Sequence, residues 1–305
     1  MSCKLKKFGS VALIGPANAG KSTLLNAILG DKVSIVTDKP HTTRKQILGI
    51  KTTEQGQIVF VDTPGFTHAI KRGKLKDVLS QSLKNSMRAC ELVTLVLDSS
   101  KIKDSHSLEI ILGASKKFVL NVPKLVLLNK IDLKPHHEVL PIIQIVSKFF
   151  ETINQEQPPE IIPISGLKKR NLQHLLEVIF EHLPQGEMVF DAQTLTDQTD
   201  EFFIAELVRE KVFKKMREEI PYSVAVRVDK IIQTKKLLTT FVEIIVEREG
   251  QKRIIIGNAG QNLKAIGTEA RLELEQIYGI QVNLQLMVKV EADWSVTEKG
   301  IKKVL

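Results

Sequence analysis

Residues Gly15-Pro16-Ala17-Asn18-Ala19-Gly20-Lys21-Ser22 satisfy the pattern G-x-x-x-x-G-K-S/T. Such a loop wraps backbone N–H groups around phosphate and places a helix N-terminus behind them. Lys21 would reach the β- and γ-phosphates of a nucleotide, and the Ser22 hydroxyl would ligate Mg²⁺. Gly15, Asn18, Ala19, Gly20 and Thr23 complete the expected phosphate-binding set. Further on, Asp62-Thr63-Pro64-Gly65 closes an apolar run. Asp62 would hold Mg²⁺ through water, and the Gly65 N–H would sense the γ-phosphate. Between these motifs lies His41-Thr42-Thr43-Arg44, a polar connection suited to a switch. Thr42 and Thr43 are its candidates, with Thr43 a third Mg²⁺ ligand. Asn129-Lys130-Ile131-Asp132 directly follows the apolar run Leu125 to Leu128 and selects the base. Asp132 can accept from guanine N1–H and the exocyclic amine, a pair of donors that adenine lacks in that arrangement. Asn129 can bond N7 and tie its loop to the phosphate loop, while the Lys130 stem covers the base plane. Ser165-Gly166-Leu167 occupies the place of a last base-contacting loop, where a backbone N–H would meet guanine O6. GTP and GDP are the expected ligands.

One residue bears on mechanism. Phe66 follows Gly65, where many GTPases place a glutamine that orients the attacking water. A phenyl ring neither donates nor accepts a hydrogen bond, so intrinsic hydrolysis should be slow or use another device. Asn18 offers one if it helps seat a K⁺ ion against the phosphates; the alternative is that it only bonds nearby backbone.

The elements that must hold these residues alternate. Val11 to Ile14, Ile58 to Val61, Leu92 to Leu97, Leu125 to Leu128 and Ile161 to Ile164 read as strands, uninterrupted as expected for parallel strands buried on both faces. Helical patterns separate them at Lys21 to Leu29, Leu75 to Cys90, Ser105 to Leu112, Val139 to Phe150 and Leu172 to His182. This is an α/β sheet with right-handed crossovers. Gln46 to Ile50 adds a hairpin strand. Periodicity fades over 185–200, which reads as a linker between a domain at 1–184 and another at 201–305. The second begins with a helix from Glu201 to Met216 and strands at Ser223 to Ile232 and Thr240 to Glu249. An apolar stretch at Arg253 to Ile256, a helix from Gln261 to Tyr278 and a strand from Val282 to Ala292 complete it. In the middle strand Phe241, Ile244 and Val246 set against Glu243 and Glu247 predict one covered and one exposed sheet face. The turn Gly257-Asn258-Ala259-Gly260 before a helix, in αββααβ order, has the pattern of an α+β KH module that clamps a nucleic-acid backbone. Gly257, Asn258, Ala259, Gly260, Gln261 and Lys264 are the candidate RNA contacts, with Lys211, Lys214 and Lys215 as nearby positive charge.

The 305 residues carry a formal net charge of +9, all of it in the first 185. That suits nucleic acid or an anionic membrane surface, and equally plain solubility. No apolar run approaches the ~18 residues of a membrane span, and the start of the chain lacks the apolar core of a secretory signal. Two cysteines, Cys3 and Cys90, make neither a disulfide framework nor a four-ligand zinc site, which fits a reducing cytosol.

Taken together, the chain resembles the Era family of bacterial GTPases over nearly its whole length. The resemblance is carried by Gly15 to Ser22, His41 to Arg44, Asp62 to Phe66, Asn129 to Asp132, Ile164 to Leu167, Ile254 to Arg271, and Asp293-Trp294 near the end. It implies a P-loop, Ras-like GTPase domain followed by a type II KH domain. It also implies binding to the 3′ end of 16S rRNA, assistance in assembly of the small (30S) ribosomal subunit, and a cytoplasmic location with peripheral inner-membrane association. A monomer is expected. Three positions depart from the family: Pro16-Ala17 in the phosphate loop, Gly166 where alanine is usual, and a KH turn without lysine. A membrane-surface signalling GTPase is the competing reading.

Overall fold

The computed structural model describes residues 6–37, 39, 46–66, 74–113, 124–153, 158–217, 220–292 and 294. The chain divides into two compact units, Met1–Lys71 with Val78–Asp197 and Arg72–Asp77 with Gln198–Leu305. Among the described residues, the strands of the first unit are β1 (Lys7–Ile14), β2 (Ile47–Thr53), β3 (Gly56–Asp62), β4 (Leu92–Asp98), β5 (Leu125–Asn129) and β6 (Glu160–Pro163). Its helices are α1 (Lys21–Leu29), α2 (Lys74–Ala89), α3 (Ser105–Leu112), α4 (His136–Glu151) and α5 (Leu172–His182), α2 starting among the residues grouped with the second unit. The strands form one sheet in the order β2-β3-β1-β4-β5-β6, parallel except for the β2–β3 hairpin. Every residue of β3, β4 and β5 is buried, which is why these strands read as unbroken apolar runs. The C-terminal ends of the parallel strands carry the motifs, the usual place for ligands in an open α/β sheet.

The segment expected as a linker behaves otherwise. The Phe8 N–H donates to Pro184 O and the Gly186 N–H to Lys6 O; farther on, the Ile50 N–H donates to Leu195 O. Gln57, fully buried, accepts from the Val189 and Phe190 N–H groups and donates to Phe190 O. The stretch is therefore a strap on the first unit as far as Asp197. It lacks hydrophobic periodicity because hydrogen bonds, not an apolar stripe, hold it in place.

The second unit comprises α6 (Asp200–Lys215), the single turn α7 (Ile220–Ser223), β7 (Ala225–Gln233), β8 (Leu237–Val246), α8 (Glu249–Ile256), α9 (Gln261–Tyr278) and β9 (Gln281–Val290). Its sheet runs β7-β8-β9, with β7 antiparallel and β9 parallel to β8. Ile204, Val208, Val242, Ile244, Ile266 and Leu274 join one core between helices and sheet. The apolar stretch from Arg253 is the end of helix α8, within the expected αββααβ order. The expected exposed sheet face holds along β9, where Asn283, Gln285 and Met287 are exposed, and is corrected only at its end near Glu243. Glu243 is buried there, ion-paired with Arg227 at 2.5 Å and with Lys289. Beside it Trp294 covers Ala225 and Ile245 and donates from Nε1 to Ser223 O at 3.0 Å. No described helix is long and apolar enough to cross a membrane.

Candidate functional site

The phosphate loop leaves β1 and enters α1 through three residues in the left-handed region: Gly15 at φ 155, Asn18 at φ 63 and Gly20 at φ 92. A Cβ on Gly15 would lie 2.3 Å from Val96 O, and one on Gly20 would lie 2.4 Å from Asn129 Nδ2, so both glycines are required for close packing. The Lys21 ammonium is buried and donates to the carbonyls of Gly15 and Pro16, each at 3.1 Å. Burial lowers its pKa to about 8, with the Asp62 charge opposing that shift. Asn18, Gly20, Lys21, Ser22 and Thr23 line a cleft closed on its other side by Gly65 and by Ile35 to Thr37.

Asp62 ends β3 beside this loop. Its Oδ2 accepts from Ser22 Oγ at 2.6 Å and from Ser34 Oγ at 3.0 Å. Ser34 is held in turn by Asn26, whose Oδ1 accepts from the Val33 and Ser34 N–H groups and whose Nδ2 donates to Ser34 O. Neither Asn26 nor Ser34 was singled out from sequence; a lone polar residue within the helix that follows the phosphate loop was the available signal. Thr63 donates to Leu13 O at 2.8 Å. Gly65 then passes so near the phosphate loop that a Cβ would meet Ala17 Cα at 2.7 Å. Phe66 O accepts from the Ala17 N–H, its own N–H donates to Gly15 O, and its half-buried ring packs against the sheet's hydrophobic core. Thr42 and Thr43 lie outside the described residues.

The residues expected to recognise the base converge on the same loop. Asn129 Nδ2 donates to Ala19 O at 2.9 Å while its Oδ1 accepts from the Gly166 N–H at 3.0 Å. Lys130 donates to Asn18 O and to Asp98 Oδ2, both at 2.7 Å. Asp132 Oδ1 accepts from Ser165 Oγ at 2.5 Å, and Ser165 Oγ accepts from the Lys168 N–H. A buried hydroxyl thus aims the carboxylate, a role for Ser165 beyond its backbone. Gly166 packs on α1, where a Cβ would press on Leu24 Cα at 3.1 Å. Leu167 is 68% exposed.

In the second unit Gly257 (φ 73), Ala259 (φ 48) and Gly260 (φ 77) shape the turn between α8 and α9. Asn262 braces it by donating to Ile254 O at 2.9 Å, and a Cβ on Gly257 would strike that side chain at 2.8 Å. Arg253, Ile254, Ile256, Gly257, Asn258 and Asn262 line an open groove of about 560 Å³. Lys264 is exposed beyond it on α9. The expected positive charge is corrected at Lys211. Lys211 is only 6% exposed and ion-paired with Glu273, and Lys214 pairs with Glu210. Lys211 neutralises Glu273 of α9, because a cation buried this deeply requires a partner, whereas Lys214 and Lys215 stay exposed. Arg253, unmarked from sequence, is the basic side chain at the groove.

A family model for the 50S ribosome-binding GTPases matches residues 10–130, and a KH-domain model matches 219–295. The chain is 38% identical to GTPase Era of Nitrosomonas eutropha over 298 residues, 97% of this chain and 96% of that one. It is 42% identical to GTPase Era of Aquifex aeolicus, covering 94% and 95%. Two crystal structures superpose on 98% of both chains at 39% identity. One is Aquifex aeolicus Era, as a tyrosine-to-alanine variant with GDP and AlF4⁻, at a TM-score of 0.87. The other is Era with MgGDPNP and nucleotides 1506–1542 of 16S ribosomal RNA, at 0.88.

Proposed function

The chain belongs to the Era family of GTPases, and from that premise we propose that it binds the 3′ region of 16S rRNA and assists assembly of the 30S subunit. GTP hydrolysis is assigned to the first unit and RNA binding to the KH unit. The location is the cytoplasm, with peripheral attachment to the inner membrane.

The observation that supports this reading best is Asn129, which links the phosphate loop and the 165–167 loop through one amide. A nucleotide lying along that line would meet phosphate donors at one end and Asp132 at the other. Lys21, exchanging the Gly15 and Pro16 carbonyls for phosphate oxygens, would neutralise the β- and γ-phosphates. Ser22 and Asp62 present hard oxygens side by side, a donor set that fits Mg²⁺. When bound there, Mg²⁺ supplies charge neutralisation across the β- and γ-phosphate oxygens. Gly65, docked on Ala17, brings its N–H to the γ-phosphate end of the cleft. Phe66, whose ring carries no hydrogen-bonding group, takes no part in orienting water. A K⁺ ion seated by Asn18 is the substitute device: turnover should fall when Na⁺ replaces K⁺, and Asn18→Ala should remove that difference. Equal turnover in both salts would leave Asn18 as a backbone element only.

Asp132→Asn tests the base assignment. The amide turns one acceptor into a donor facing the exocyclic amine of guanine, so GTP affinity should fall by about 10² or more. Xanthosine triphosphate, which has a carbonyl at that position, should bind instead. A variant that binds GTP like the parent would refute the assignment. For the RNA role, cosedimentation with 30S subunits in a salt series, with and without a non-hydrolysable GTP analogue, separates assembly factor from membrane-surface switch.

A further inference from the structure

Asp98 closes β4 and stands opposite Asn129 in the β4–β5 ladder. Its side chain is 7% exposed, and both oxygens are occupied. Oδ1 accepts from Ser100 N–H at 3.1 Å and Ser100 Oγ at 2.5 Å, which fixes the carboxylate on a tight turn. Oδ2 accepts from the Lys130 ammonium at 2.7 Å. Lys101 is 4.0 Å away and more than half exposed, so screening leaves Lys130 as the effective counter-charge. Lys130 itself sits at φ 65, a left-handed conformation unfavourable for a residue with a Cβ. Its ammonium returns to Asn18 O, also at 2.7 Å. In a trans peptide the carbonyl and the following N–H point oppositely. Holding Asn18 O toward Lys130 therefore turns the Ala19 N–H away from it, where it makes only a long 3.3 Å bond to Pro16 O. Asn129 does the same for Gly20 by holding Ala19 O.

We propose that Asp98 is a positioning residue of the guanine-nucleotide site. By pairing with Lys130 it keeps the lysine stem over the base position and the ammonium on Asn18 O, joining base loop and phosphate loop into one rigid piece. The inference rests on the reading of Asn129 to Asp132 as the guanine loop. Because Lys130 reaches the base and residue 18 rather than the γ-phosphate, losing Asp98 should weaken GDP and GTP alike.

The experiment measures release of a fluorescent GDP, and of the matching non-hydrolysable GTP analogue, from the full-length protein. In Asp98→Asn the amide keeps an acceptor for Ser100 but turns its NH₂ toward the ammonium. Release of both nucleotides should accelerate by the same factor, about tenfold. Asp98→Glu, which retains the charge, should stay nearer the parent. Lys130→Met removes the ammonium but keeps the stem; in that background Asp98→Asn should add less than about twofold, since the partner is already gone. Equal acceleration by Asp98→Asn in both backgrounds would overturn the proposal, as would Asp98→Glu releasing as fast as Lys130→Met. If Lys130→Met left the release rate unchanged, the guanine-loop reading itself would fall, an outcome distinct from either.

Discussion

A buried ammonium with a pKa near 8 makes Lys21 the residue at which pH enters the nucleotide site. Phosphate favours its charged form, so binding above pH 8 must take up a proton. Affinity for GDP should decline by up to about tenfold per pH unit above 8, and calorimetry in buffers of different ionisation enthalpy should detect the uptake. The effect on folding has the opposite sense. The folded value, about 8, lies below the ordinary lysine value of 10.5, so between them the unfolded chain binds more protons. Without nucleotide, thermal stability should therefore rise from pH 8 toward 10.5 from this group, and saturating nucleotide should flatten that rise. A flat profile in both conditions would place Lys21 in water. Glu243 shows a second balance: burial alone would raise its pKa, yet hydrogen bonds from Lys289 and Arg227 hold it below the usual carboxylate range.

Among elements, the junction of β3 with the phosphate loop is the most constrained. Thr63 anchors it to Leu13, and two backbone bonds join Phe66 to Gly15 and Ala17. Gly65→Ala would push a methyl against Ala17 Cα at 2.7 Å, where backbone cannot give way without moving the loop. The Gly65 N–H should then miss the γ-phosphate. Single-turnover hydrolysis should fall by about 10², while GDP affinity, which does not use that contact, should stay within about threefold. Normal hydrolysis by this variant would remove Gly65 from the γ-phosphate site. The strap after α5 is held by Gln57 in a comparable way, through three hydrogen bonds from one side chain.

For the whole molecule, the two compact units make nucleotide and RNA binding separable by mutation. Gly257→Asp with Gly260→Asp would put two carboxylates beside the proposed phosphate path, one of them against Asn262. RNA affinity should be lost through sterics and repulsion while GTP binding persists. Asn258→Lys restores a charge to the lysine-free turn; it should tighten RNA binding and steepen the salt dependence by about one released counterion. Affinities measured across a salt series for the three proteins check both. Unchanged binding by the double variant would leave the turn as a mere helix entry.

The nucleotide motifs were legible from residue order because each is local: a glycine loop, a strand end, a polar residue at fixed spacing. Unbroken apolar runs likewise announced β3, β4 and β5 as strands buried on both faces. The KH order and its Gly257–Gly260 turn were readable for the same reason. Tertiary structure decided what depends on residues distant in the chain. Asp98 became the partner of Lys130 only because β4 and β5 are neighbours, and Ser34 met Asp62 only because Asn26 folds its loop back. Lys211 and Glu243 read as exposed charges, since alternation and charge say nothing about a counter-ion arriving from α9 or β9. The stretch 185–197 read as a linker because hydrogen bonds to the sheet and to the Gln57 side chain leave no hydrophobic period. Short-range geometry is encoded in neighbouring residues, whereas burial of a charge is settled by which opposite charge the fold brings to it.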